Sequence, residues 1–193
     1  MIERIKSIVR NSIYVKELIY SDNKLIEKIN EITSEIINCF QNESKVLFCG
    51  NGGSAADAQH LAAEFSGRFY FDRRPLYSEA LHVNSSYLTA VANDYSYDEV
   101  YARMIQAMGN EGDVLIGIST SGNSPNIIKA CQIAKLKGMI TIGFTGAFGG
   151  ELKNICDYLI NVPSKDTPRI QESHIMIGHI ICELVEEKIF NKP

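Results

Sequence analysis

Apolar residues recur at helical spacing near the start of the chain. Ile2, Ile5, Val9, Ser12 and Ile13 fall on one stripe, and Leu25, Ile29, Ile32, Ile36 and Phe40 on a second. Ser21-Asp22-Asn23 lies between them and supplies turn and N-cap chemistry, so residues 1–42 read as two helices. Two placements fit: both helices pack on their own domain, or the first stripe, which precedes the body of the fold, meets another subunit.

From Lys45 the period changes. Val46-Leu47-Phe48-Cys49 is a short apolar run that ends in Gly50-Asn51-Gly52-Gly53-Ser54, followed by a helical stretch over 55–65. The same grammar returns at Val114 to Ile118, which leads into Ser119-Thr120-Ser121-Gly122-Asn123-Ser124-Pro125 and a helix to about Lys137. It returns again at Met139 to Phe144. Residues 79–83 and 158–162 are further strand candidates, and a closing helix spans about 168–190. Short, wholly apolar strands alternating with helices signal a parallel sheet covered on both faces. The expected fold is α/β: a three-layer αβα sandwich with a roughly five-stranded parallel sheet and extra N-terminal helices. No stretch rich in Pro, Gly or Ser divides the chain, so residues 1–193 read as one domain.

Composition narrows the class. With 45% hydrophobic and 22% charged residues the chain is ordinary for a globular protein, and no run approaches the ~18 apolar residues of a membrane span. The net charge of -4 supplies no bulk basic field for nucleic acid, so an anionic ligand needs a local site. The N-terminal apolar residues are interrupted by Glu3, Arg4, Lys6 and Arg10, unlike a signal peptide. The five cysteines are odd in number, and Cys39, Cys49, Cys131 and Cys182 sit in apolar segments. Buried free thiols in a reducing cytoplasm are expected, with a thiol nucleophile as the alternative.

Two polar loops occupy the position where open α/β sheets bind ligands, beyond the carboxyl ends of strands. The loop from Gly50 to Ser54 has three glycines and opens a helix, whose N-terminus favours anions. It lacks the lysine of a P-loop and the spacing of a dinucleotide fingerprint. The alternative is a plain tight turn. The second loop sets the hydroxyls of Ser119, Thr120, Ser121 and Ser124 around Gly122, with Ser124-Pro125 reading as N-cap and N1. Hydroxyls and helix N–H groups can hold a phosphate monoester without a lysine. A capped turn alone accounts for Ser124 but not for the other three.

On the helix after the first loop, His60, Glu64 and Arg68 follow at four-residue steps, on one face. That triplet is either a surface ion-pair ladder or a site beside the glycine loop. The closing helix carries Arg169, Gln171, Glu172, His174 and His179 in an apolar context. Gln171 and His179 are separated by roughly 12 Å of rise and roughly 80° of rotation. Either they lean toward each other, or a neighbouring subunit completes the site.

With these residues in view, the chain closely resembles the phosphoheptose isomerases (sedoheptulose 7-phosphate isomerases) of the sugar-isomerase (SIS) domain superfamily. The resemblance covers nearly the whole chain. It rests on Cys49-Gly-Asn-Gly-Gly-Ser-Ala-Ala-Asp57, His60 to Glu64 with Gly67-Arg68, Leu88 to Asp94, Gly112 to Ser124, and Arg169-Ile-Gln-Glu172 with His179, in order. It implies interconversion of D-sedoheptulose 7-phosphate and D-glycero-D-manno-heptose 7-phosphate, a step toward nucleotide-activated heptose. It also implies a cytoplasmic homotetramer with active sites at subunit interfaces. By resemblance, His60, Glu64, Gln171 and His179 bind zinc. Asn51, Gly52, Gly53, Asn93, Asp94, Ser119, Thr120, Ser121, Ser124 and Gln171 contact substrate; Ser54, Glu64 and Arg68 join them as substrate-binding candidates. Some relatives carry an acidic residue directly before Arg-Ile-Gln where this chain has Thr167-Pro168, so a proton-transfer role for that acid does not carry over.

The implied reaction moves a proton between C1 and C2 through a cis-enediol, with Glu64 as base and His179 as acid–base partner. Zinc, as Lewis acid or as structural organiser, competes for the same side chains. The rival is a non-catalytic tetrameric relative that binds a replication initiator. A sugar-phosphate-sensing regulator is disfavoured because residues 1–40 carry no basic cluster, and an amino-sugar phosphate isomerase is disfavoured by the heptose-type blocks.

Overall fold

The structure, a computed structural model, describes residues 1–190, so the last three residues of the expected domain lie outside the described residues. Helix α1 (Ile2–Ser21) is followed without a loop by α2 (Asn23–Gln41), because Asp22 ends the first and caps the second. The Asp22 carboxylate accepts the N–H groups of Lys24 and Leu25, each at 3.1 Å.

Five parallel strands then form one sheet: β1 (Val46–Gly50), β2 (Ser78–Ala80), β3 (Val114–Ile118), β4 (Ile140–Thr145) and β5 (Tyr158–Asn161), in the order β2-β1-β3-β4-β5. Strands β1 and β3 are buried at every position, as continuous apolar runs require when both sheet faces are covered. Their register pairs Val46 with Val114 and Gly50 with Ile118, so they end side by side. The connections after β1 and β3 leave on opposite sides of this pair. The gap between them is the topological switch point, where ligands of such sheets bind.

Helices α3 (Gly53–Ser66) and α7 (Thr167–Phe190) cover one face together with α1 and α2; α4 (Ser85–Asp94), α5 (Val100–Met108) and α6 (Pro125–Leu136) cover the other. The three-layer sandwich expected from the sequence is therefore observed. The expected strand at 79–83 is the shorter Ser78–Ala80, because Leu81 and His82 already turn toward α4, and the expected strands at 139–144 and 158–162 shift by one residue at their ends. Helices α4 and α5 had no counterpart in the sequence reading. No helix among the described residues is long and apolar enough to cross a membrane.

The second predicted stripe is buried throughout. The first is not: α1 rests on the domain through Val15 and Ile19, while Ile2, Ile5, Val9 and Ile13 are half or more exposed. All five cysteines are free; four are buried and Cys156 is partly exposed. Burial pushes the Cys39 thiol up to about 12, helped by the Asp113 charge, which makes it a poor nucleophile.

Candidate active site

Helices α3 and α7 lie against each other and bring three donor groups to one point. His60 Nε2 stands 3.2 Å from Glu64 Oε1, one helical turn on, and 2.9 Å from His179 Nε2 on α7. The ligand atoms of the three residues all fall within 4.8 Å of one another. Gly178 allows this approach, because a Cβ there would meet the Leu61 side chain at 2.5 Å. Two imidazole nitrogens and a carboxylate suit a divalent ion such as zinc, whose tetrahedral ligands sit about 3.3 Å apart. The donors present therefore fit a metal in both type and spacing.

Gln171 touches α3 nearer its start than the three donors do. Its amide lies against Gly53, where an added Cβ would sit 2.6 Å from Nε2. Gly53 precedes His60 on α3 by two turns, much as Gln171 precedes His179 on α7. Both residues of α7 thus reach α3 within one chain. Arg68, in contrast, stands beyond the end of α3 at Ser66 and is exposed, so only the His60–Glu64 half of the expected triplet is a helical ladder.

The second loop differs from its expected cap chemistry. Ser124 occupies the N-cap position of α6 with Pro125 behind it, but its side chain makes no capping bond. Its hydroxyl lies 2.9 Å from that of Ser119, which is 3% exposed. The two hydroxyls are thus held together at the mouth of β3. Thr120, Ser121 and Asn123 line a cavity of about 280 Å³ together with Phe148, Lys165 and Thr167. This cavity opens over the carboxyl ends of β3, β4 and β5 and meets the first turn of α7.

Asn126 ties the two loops together. Its buried amide exchanges hydrogen bonds with the Asn51 amide in both directions, each at 2.9 Å. Tyr97 also donates to Asn51 Oδ1 at 3.3 Å. Asn51 therefore links the glycine loop to the start of α6 across the switch point, while Gly53 lies against Gln171 and Ser54 is buried in the first turn of α3. Asn93 and Asp94 end α4 on the surface, where the Asn93 amide donates to Asp94 Oδ1 at 2.9 Å. Sequence reasoning missed Asn126, Tyr97 and Lys165. The position of Asn126 directly after Ser124-Pro125 was a signal for the first, whereas Lys165 lies among unpatterned polar residues.

Two further groups border the site. Asp57, one turn before His60, has its carboxyl raised above the ordinary value by desolvation, against the opposing pull of His60, and its Oδ2 is buried without a partner. His174 lies on the α7 face toward the sheet, where burial depresses it to about 4 against the favourable bond to the Thr145 carbonyl. It is a neutral packing residue.

Comparison with known proteins identifies the family. The SIS domain family matches residues 14–146. The phosphoheptose isomerase of Aneurinibacillus thermoaerophilus is 58% identical over 190 residues, covering 98% of this chain and 96% of that protein. Phosphoheptose isomerase 2 of Campylobacter jejuni is 55% identical over 188 residues, covering 97% and 94%. Among solved structures, the phosphoheptose isomerase of Neisseria gonorrhoeae superposes with a TM-score of 0.90 at 41% identity, over 96% of this chain and 98% of that one. That of Francisella tularensis gives 0.91 at 36% identity, over 96% and 98%. The non-catalytic alternative finds no support in these matches. A five-stranded sheet with its polar loops at the switch point, and this similarity along nearly the full length, place the chain in the SIS domain family, among the phosphoheptose isomerases.

Proposed function

We propose that this isomerase interconverts D-sedoheptulose 7-phosphate and D-glycero-D-manno-heptose 7-phosphate, at a site shared between the α3–α7 cluster and the hydroxyl loop. The observation that carries the reading is the meeting of His60, Glu64 and His179 beside the switch point. Ser119, Thr120, Ser121 and Ser124 hold the 7-phosphate. Binding the far end of the sugar fixes C1 and C2 near the cluster and converts remote binding energy into positioning. Asn51, Gly52, Gly53, Ser54, Arg68, Asn93, Asp94 and Gln171 are the further substrate contacts.

In the ketose-to-aldose direction, Glu64 removes a proton from C1 while the C2 oxygen gains one, giving the enediol. The proton then returns from Glu64 to C2, and the O1 proton leaves as the C1 aldehyde forms. His179 moves the oxygen protons. His60, Glu64 and His179 would hold zinc, with Gln171 as a fourth ligand by the family resemblance, and the ion when bound would supply a Lewis acid for the reacting oxygens. Glu64 has two carboxylate oxygens, so engaging one leaves the other for the carbon-bound proton.

The exposed α1 stripe supports a homo-oligomer, and by kinship a cytoplasmic homotetramer supplying nucleotide-activated heptose. Incubation with sedoheptulose 7-phosphate, followed by NMR, tests the substrate: an aldose heptose phosphate should accumulate. Conversion of fructose 6-phosphate instead would overturn the assignment. Glu64→Gln should lower turnover by about 10²–10⁴-fold, and near-normal turnover in that folded variant would remove Glu64 as base.

A further inference from the structure

The two helices that carry the cluster are also joined away from it. Arg73, in the irregular segment after α3, donates from Nε to Glu186 Oε1 on α7 at 2.6 Å, with the two side chains 2% and 1% exposed. The other guanidinium nitrogens turn back to α3. They donate to the carbonyls of Glu64 and Phe65, each at 2.9 Å, and of Gly67 at 3.2 Å. Those are carbonyls at a helix C-terminus, which lack partners within the helix. The Glu186 carboxylate in turn accepts the N–H groups of Phe69 at 3.0 Å, Tyr70 at 2.6 Å and Phe71 at 3.0 Å. Burial alone would push this carboxyl up. The N–H groups of Phe69 and Tyr70, the Arg73 guanidinium and the N–H of Phe71 outweigh it and hold the group below its ordinary value.

A buried ion pair is weak support for stability, since desolvation offsets most of its attraction. What it supplies is geometry. The planar guanidinium fork bonds the α3 carbonyls and the α7 carboxylate at the same time. One of those carbonyls belongs to Glu64, whose side chain is in the cluster. Glu186 follows His179 by two turns of α7, on the same face. The segment hung on Glu186 also sets the Phe69 ring 5.9 Å from that of His179.

We propose that Arg73 and Glu186 are positioning residues: their pair fixes α3 against α7 and thereby sets His179 opposite His60 and Glu64. The proposal rests on the reading of that cluster as the metal-binding reaction centre. The test uses Arg73→Lys, which keeps the charge but loses the fork, with Glu186→Gln and Glu186→Asp beside it. Folding is checked by circular dichroism and size, Co²⁺ binding by the visible absorption of the bound ion, and kcat and KM separately.

A folded variant should bind Co²⁺ about 10–100-fold more weakly with an altered spectrum. Its kcat should fall while KM changes little, and Arg73→Lys should have no added effect on Co²⁺ affinity once His179 is alanine. Lowered stability with unchanged Co²⁺ affinity and spectrum would reduce the pair to a structural clip. Failure of all three variants to fold would also overturn the narrower role. If the wild-type chain itself neither binds Co²⁺ nor isomerises the sugar, the reading of the cluster fails instead.

Discussion

The Nε2 atoms of His60 and His179 stand 2.9 Å apart although 119 residues separate them. Two imidazole nitrogens can bond at that distance only if one carries the proton and the other accepts it. A divalent ion would replace that single proton and engage both. His60→Ala and His179→Ala should each weaken Co²⁺ or Zn²⁺ binding by at least about 100-fold, measured by calorimetry. Unchanged stoichiometry and affinity in both variants would place the metal elsewhere.

Gly53 and Gln171 make a second, sharper contact. The atom nearest an added Cβ is the end of a flexible amide, so Gly53→Ala should displace Gln171 with little loss of thermal stability. Activity should fall toward that of Gln171→Ala, and the double variant should be no worse than either alone. Additive losses in that cycle would mean the glycine acts independently.

The Ser119–Ser124 pair predicts two effects from one change. On the proposed reading Ser124→Ala removes a phosphate contact, and it leaves the buried Ser119 hydroxyl without this partner. KM should rise by more than kcat falls, while unfolding in urea shows a loss of about 1 kcal/mol. A fall in kcat at constant KM would move Ser124 out of the phosphate site.

His174 predicts an acid limb in stability. It is neutral when folded and depressed to about 4, so the unfolded chain binds the extra proton first. Stability should fall as pH drops from about 6.5 to about 4, by roughly 3 kcal/mol from this group. His174→Asn should flatten that slope in denaturant titrations at pH 7 and pH 5. An unchanged slope would show that other groups set it.

The exposed stripe on α1 predicts association. Ile5 is 54% and Ile13 50% exposed in the single chain. Ile5→Glu with Ile13→Glu should lower the apparent mass in light scattering without unfolding α2. A wild-type monomer at working concentration would remove the basis for interface sites.

Much of the sheet and half of the site were legible because the signals are local. Val46 to Cys49 and Val114 to Ile118 are apolar without interruption, the usual pattern of parallel strands buried on both faces. His60 and Glu64 share a face by helix period alone. Helices α4 and α5 were not legible, because 85–108 mixes Tyr, Ser and Asn with apolar residues and one 3-10 turn, at Tyr97–Glu99, interrupts it. Ser124 takes the expected N-cap position, but its side chain pairs with the Ser119 hydroxyl at the end of β3 instead of capping the helix.

The sequence by itself determined the sandwich, the two polar loops and the residue types of the centre, because periodicity and loop chemistry are properties of neighbouring residues. Only the tertiary structure decided which of them meet. The pairing of His60 with His179, of Gln171 with Gly53 and of Arg73 with Glu186 depends on how α3 settles against α7. That packing is set by side-chain volumes such as Gly178 against Leu61, between segments far apart in the chain, and no local pattern encodes it.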